Sequence, residues 1–138
     1  RMNKTFKKMY DTCVKLAKQN RDLHERTGRS QVAAAVMAKS GKIYYGLNIG
    51  WWHSVCAEPV ALSNAWMAGE REMQYVIAVK YNMRTGDIEC LSPCGICREM
   101  FNNLQPEIKI ILRDEKGEFV VKTMDEMLPD VEDFDNHE

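Results

Sequence analysis

Two short cysteine stretches constrain this chain more than any other feature. The first is Cys56-Ala57-Glu58, and the second is Ser92-Pro93-Cys94-Gly95-Ile96-Cys97-Arg98. Cys-x-x-Cys by itself is shared by zinc sites and thiol-redox pairs. A redox pair leaves Cys56 and Glu58 unexplained, whereas a metal site employs all three sulfurs. A run that reads as helix follows each stretch. A shared metal therefore requires two helices, distant in sequence, to begin at one point. Any fold for this chain has to satisfy that convergence.

The remaining elements supply a sheet on which the two helices can rest. Residues 4–26 read as an amphipathic helix, with Phe6, Met9, Tyr10, Cys13, Val14 and Leu16-Ala17 at helical spacing between lysines. Cys13 falls on that apolar stripe and is expected in the core, and His24, among charges, at the surface. Gly28-Arg29-Ser30 breaks the helix. Residues 32–39 form an alanine-rich buried strand, Ser40-Gly41 a turn, and 43–49 the returning strand of a hairpin. A short loop over 50–55 carries Trp51, Trp52 and His53. The second helix runs over 56–70, with Pro59 in its first turn, where the missing N–H costs nothing.

Residues 75–81 make a third strand, buried on both faces, and 88–91 extend toward the second cysteine stretch, with Cys90 packed. The third helix covers 94–104, and strands come next at 108–112 and 119–121. Thr123 is placed to cap a short helix through Met127, ended by Pro129. The acidic tail from about residue 130 is expected to be flexible. Helices interleaved with strands in this order give an α/β chain with a mixed sheet, and 138 residues suit one domain over 1–138.

Composition excludes several classes of partner. A net charge of -1, with no basic cluster beside either cysteine stretch, argues against nucleic acid and against anionic membranes. No apolar run approaches the roughly 18 residues that span a bilayer. Five cysteines are an odd number, three of them in a metal-like pattern, which points to a reducing, cytoplasmic setting rather than a disulfide scaffold. The opening residues Arg1-Met2-Asn3-Lys4 show no apolar leader stretch.

Cys56, Cys94 and Cys97 provide the three protein ligands of a catalytic zinc, with a fourth position left for water. Helix N-termini beneath them lower thiol pKa values and favour the ionised ligands. Three thiolates exceed the charge of Zn²⁺ by one, and Arg98, adjacent to Cys97, is assigned to offset that excess from behind the ligands, with a surface salt bridge as the other reading. Glu58 lies too near Cys56 to be a comfortable fourth ligand. It is better placed to take a proton from the attacking water and return it at the bond being broken. A closed four-ligand structural site would need His53.

Together the two stretches match the zinc nucleobase-deaminase signature, in the form where cysteine replaces the first histidine. The chain as a whole resembles the small homotetrameric cytidine deaminases, and among them the blasticidin S deaminase branch. Val32-Ala33-Ala34-Ala35 stands where that family has Val-Gly-Ala-Ala, and Gly46-Leu47-Asn48 matches its Gly-x-Asn strand end. Ser92-Pro93-Cys94-Gly95 with Cys97-Arg98 matches its second zinc motif, and Met127-Leu128-Pro129 its Leu-Leu-Pro. The resemblance implies a three-layer α/β/α sandwich on a five-stranded mixed sheet, one zinc per subunit and a homotetramer. It also implies that the backbone at Ala57 meets the base carbonyl, that the Ser92 carbonyl receives the amino group, and that Asn48 contacts the sugar.

The departures concern recognition. Gly50 replaces the family's ribose-gripping Glu, Ser30-Gln31 replaces a ring-stacking aromatic residue, and Pro59 replaces an Arg. The loop between Asn48 and Cys56 is also shorter. Trp51 and Trp52 are assigned as a substitute stacking surface, with core or interface packing as the other reading. The expected activity is hydrolytic deamination of a free cytosine nucleoside or a cytosine-bearing analogue of the blasticidin S type. An aminohydrolase of another small N-heterocycle and a non-catalytic zinc-stabilised binding module remain open.

Overall fold

In chain order the elements are α1 (Met2–Gln19), α2 (Arg21–Thr27), β1 (Gln31–Ala38), β2 (Ile43–Leu47), β3 (Ile49–Gly50) and β4 (Ser54–Val55). They continue with α3 (Ala57–Met67), β5 (Met73–Tyr81), β6 (Ile88–Leu91), α4 (Gly95–Leu104), β7 (Lys109–Arg113), β8 (Phe119–Thr123) and α5 (Met124–Met127). The computed structural model describes residues 2–50 and 53–127, at 22–24 by backbone alone. Trp51, Trp52, the chain from 128 onward and the His24 side chain lie outside the described residues.

Strand alternation divides the interior into two cores. Along β1, Ala33, Ala35 and Met37 turn toward Phe6, Met9, Cys13 and Ala17 of α1. Ala34, Val36 and Ala38 turn the other way, toward the side covered by α3 and α4. The same period of two carries across the sheet. Ile77 and Val79 of β5 and Ile111 of β7 join the first cluster, while Val76, Ala78 and Ile110 join the second. Both faces are covered, so the central strands are apolar throughout rather than half polar. The result is the helix, sheet, helix layering expected from the sequence.

The main path of the sheet is β2-β1-β5-β7-β8, with short β6 also paired to β5. β1 is antiparallel to both neighbours, with Ala34 opposite Gly46 on one side and Ala78 on the other. β7 is parallel to β5, which makes the sheet mixed. β6 and β7 divide one edge of β5: β7 lies beside Tyr75 and Val76, and β6 beside Ala78 through Tyr81. β6 thereby delivers the chain from a fixed strand directly into the second cysteine stretch.

Two local expectations are corrected. The helix expected over 4–26 is two helices, parted at Asn20. Its side-chain amide leaves the helix and donates to the carbonyl and Oδ1 of Asn48 at 3.4 and 3.2 Å. An amide that bonds elsewhere competes with helix continuation. The strand expected over 43–49 is interrupted at Asn48. Beyond the break the chain forms a two-stranded hairpin, β3 with β4, rather than an open loop. Among the described residues no helix is long and apolar enough to cross a membrane.

Candidate active site

Both metal-motif helices start the same way. Cys56 and Cys94 are the residues just before the first turns of α3 and α4, with extended backbones at φ -65, ψ 160 and φ -69, ψ 170. Ser, Thr, Asp or Asn usually occupies that position and caps the free N–H groups. Here neither cysteine makes a side-chain cap bond, so the sulfurs are available to each other. Cys97 lies in the first turn of α4 and is fully buried. All three Sγ atoms lie within 4.8 Å of one another, with Cys56 and Cys94 3.7 Å apart. Zn–S bonds of about 2.3 Å in a tetrahedron place sulfurs roughly 3.8 Å apart, so the set fits zinc. Among the described residues no fourth Cys, His, Asp or Glu joins this group, and His53 is exposed.

The depth of Cys56 is set by a backbone-to-backbone approach. A Cβ on Gly46 of β2 would lie 2.3 Å from the Ala61 nitrogen and 2.7 Å from the Ala57 carbonyl oxygen. Glycine is needed at this point because α3 presses on the strand itself. The buried side of α3 is correspondingly small, with Ala57, Ala61 and Ala65.

Arg98 is spent on architecture around the second stretch. Its Nε donates to the Pro93 carbonyl at 2.8 Å, Nη1 to the Met127 carbonyl at 2.9 Å and Nη2 to Ser92 Oγ at 2.7 Å. These bonds tie the turn before Cys94 to the end of α5. Asn48 plays a similar part on the opposite wall. Its Oδ1 accepts from the Val32 N–H at 3.0 Å and its Nδ2 donates to the Ser30 carbonyl at 2.8 Å.

Glu58, 4% exposed, sits in the first turn of α3. Burial raises its carboxyl above the usual carboxylate range, opposed in part by a hydrogen bond to backbone. Burial also pushes the Cys97 thiol far up, with the charges of Glu58 and Cys56 adding to it, and raises Cys56. Cys94 goes down. Burial acts to raise it, but N–H groups of Cys97 and Ile96 at the start of α4 and the neighbouring thiols outweigh that. A dication is the charge that would hold all three as thiolates at neutral pH.

These groups share one cavity of about 560 Å³. Cys56, Glu58 and Cys94 line it, together with Ala57, Ser92 and Asn48 from the expected substrate set. Gln31, where the resemblance places an aromatic, is fully buried and donates to the Ala17 carbonyl at 2.6 Å, so it serves the core. Arg29 lines the cavity too, although in the sequence it is only the middle of a helix-breaking triplet. Its place in the lining is what distinguishes it, and no local pattern carries that.

Residues 4–112 match the cytidine and deoxycytidylate deaminase zinc-binding region. A blasticidin-S deaminase of Bacillus cereus is 26% identical over 122 residues, covering 84% of this chain and 86% of that protein. A cytidine deaminase of Halalkalibacterium halodurans is 32% identical over 105 residues, covering 73% and 76%. The cytidine deaminase of Shewanella sediminis is longer, and the chain spans 23% of its length. The crystal structure of the cytidine deaminase from Bacillus anthracis superposes with a TM-score of 0.70 at 22% identity, over 91% of this chain and 87% of that one.

Proposed function

Because the chain belongs to the cytidine and deoxycytidylate deaminase family, a zinc-dependent group of hydrolases acting on C–N bonds of cyclic amidines, we propose that it deaminates a free cytosine nucleoside or a cytosine-bearing analogue of the blasticidin S type. The observation that carries this reading is a buried carboxyl, Glu58, in the same cavity as Cys56 and Cys94, two of three converging sulfurs. A binding module has no use for an acid held out of water, because that burial costs free energy without strengthening a metal shell.

Cys56, Cys94 and Cys97 are the residues that would hold zinc. Zinc, when bound, supplies a Lewis acid that acidifies a water at neutral pH. Glu58 would accept a proton from the attacking water, whose oxygen adds to the ring carbon bearing the amine. Glu58 then delivers protons to the adjacent ring nitrogen and to the nitrogen that leaves as ammonia, so one water is consumed and one carbonyl is made. The Ser92 carbonyl orients the departing amine, the backbone at Ala57 holds the base carbonyl, and Asn48 faces the sugar. Trp51 and Trp52 supply the stacking surface. Arg98 keeps the Ser92–Cys94 turn in place while its charge opposes the thiolate excess.

We read residues 1–138 as one domain and the assembly as a homotetramer. The tetramer is supported by a groove at the β2 edge of the sheet, between α1 and α3, bordered by the apolar Leu16, Leu47, Ile49 and Val60. The cytoplasmic reading rests on five free cysteines, since zinc binds reduced thiols.

The deciding test is ammonia release from cytidine, deoxycytidine, cytosine, blasticidin S and amino-substituted purines by zinc-loaded protein, beside Glu58→Gln. Turnover of a cytosine compound, reduced by at least about a hundredfold in the variant at unchanged zinc content, is expected. Equal turnover by the variant, or activity confined to the purines, would sink the proposal.

A further inference from the structure

We infer that Asn20 is a positioning residue for the substrate cavity, acting through Asn48 so that the Asn48 amide meets a ligand as a hydrogen-bond donor only. The inference rests on the deaminase reading of the site, in which Asn48 faces the sugar, and adds a residue that this reading leaves out.

Asn48 and Ile49 form a wall between two cavities. Both line the cavity of Cys56, Glu58 and Cys94, and both line the groove of about 380 Å³ at the β2 edge of the sheet. Asn20 lines the groove and is absent from the lining of the substrate cavity. Whatever it does for a ligand there passes through the wall.

Asn48 is clipped onto the start of β1. Its backbone N–H donates to the Val32 carbonyl at 3.1 Å, its Oδ1 accepts from the Val32 N–H at 3.0 Å, and its Nδ2 donates to the Ser30 carbonyl at 2.8 Å. Ser30 and Val32 line the substrate cavity themselves. A backbone N–H only donates and a carbonyl only accepts, so these partners fix which end of the Asn48 amide is oxygen. Turned over, the amide would set like groups against each other at both side-chain contacts.

Asn20 supplies the remaining bonds. Its Nδ2 donates to the Asn48 carbonyl at 3.4 Å and to Asn48 Oδ1 at 3.2 Å. A side-chain carbonyl oxygen has two lone pairs, and Val32 and Asn20 take both. Among the described residues, that leaves the Asn48 amide one unused N–H and no acceptor. A secondary hydroxyl of a sugar can accept that N–H, whereas a group that only donates finds no partner there. Without Asn20, Oδ1 regains a lone pair and the Asn48 carbonyl loses its restraint, so both the chemistry and the placement of the wall change.

The experiment uses the zinc-loaded full chain as wild type, as Asn20→Ala, which deletes the donor, and as Asn20→Asp, which keeps the shape and sets an oxygen against the two Asn48 acceptors. Turnover is followed on cytidine and on dideoxycytidine, which lacks both secondary hydroxyls. The KM for cytidine should rise about fivefold in Asn20→Ala and further in Asn20→Asp, with kcat within about twofold of wild type. The KM for dideoxycytidine and the zinc content should not change. An equal rise for both compounds, a fall in kcat alone, or an unchanged KM for cytidine would overturn the inference, because a merely structural role does not distinguish sugar hydroxyls. Should the wild type deaminate nothing, the reading of the reaction fails. In that case, or if the variants do not fold, amide NMR of the wild-type chain decides the role of Asn20. Uridine should shift the side-chain NH2 signals of Asn20 and Asn48 and dideoxyuridine should leave them in place; equal shifts from both, or none from either, would refute it.

Discussion

Position decides what each of the five thiols can do. Cys56, Cys94 and Cys97 meet at two helix starts, while Cys13 is fully buried on the inner face of α1 and Cys90 packs in the same cluster. Burial, with a smaller push from Cys90, raises the Cys13 thiol to about 12, and burial raises Cys90 to about 11. Both folded-state values exceed the ordinary 9.0, so their contribution to stability is complete below about pH 9 and is lost as pH climbs toward the folded values. At pH 8 a maleimide should leave Cys13 unlabelled in the folded chain and label it in urea, as peptide mass spectrometry would record. Native-state labelling at the rate of a free thiol would contradict the burial. The place of Cys13 could be read from helical periodicity. The partners of Arg98 could not, since Met127 lies 29 residues away in sequence.

Among the elements, α3 shows how closely packing and chemistry are joined. Its start carries Cys56 and Glu58, and its seat is Gly46, where even a methyl group would meet backbone atoms of α3 well inside contact distance. Gly46→Ala has to move the helix rather than a flexible side chain. A loss on the order of 2–3 kcal/mol in urea unfolding is expected, with weaker zinc retention because Cys56 shifts relative to α4. Unchanged stability and zinc content would show that the strand, not the helix, yields. Local signals were sufficient at α5, where Thr123 Oγ1 accepts from the Glu126 N–H at 3.3 Å and Glu126 returns a bond to the Thr123 N–H at 3.0 Å. That reciprocal cap needs only four consecutive residues. The break between α1 and α2 needs Asn48, 28 positions on, and the β3–β4 hairpin begins where that same Asn48 is pinned.

At the scale of the molecule, α3 carries apolar residues on its outer side as well as its inner one. Met67, the last residue of α3, is 84% exposed, and Ile49 of β3 and Val55 of β4 are 63% and 43% exposed. Singly exposed apolar side chains are ordinary on a monomer; in the proposed tetramer a second copy of the chain would cover them. Light scattering should return the mass of four chains for the wild type and a lower mass for Met67→Glu, which a monomer tolerates because the residue is exposed; a single-chain mass for the wild type would refute the tetramer. The α/β layering, the mixed sheet and the three-cysteine cluster were all legible in the sequence. Hydrophobic period and ligand spacing are local, and a helix start carrying a ligand has few ways to be used. Only the tertiary structure decided that Arg29 lies across Gly50 in the lining of the cavity, that Arg98 binds the end of α5, and that Asn48 ties Ser30 and Val32 together. Each of those depends on which distant backbones come within a hydrogen bond or a missing Cβ of one another, and that is settled by packing the whole chain.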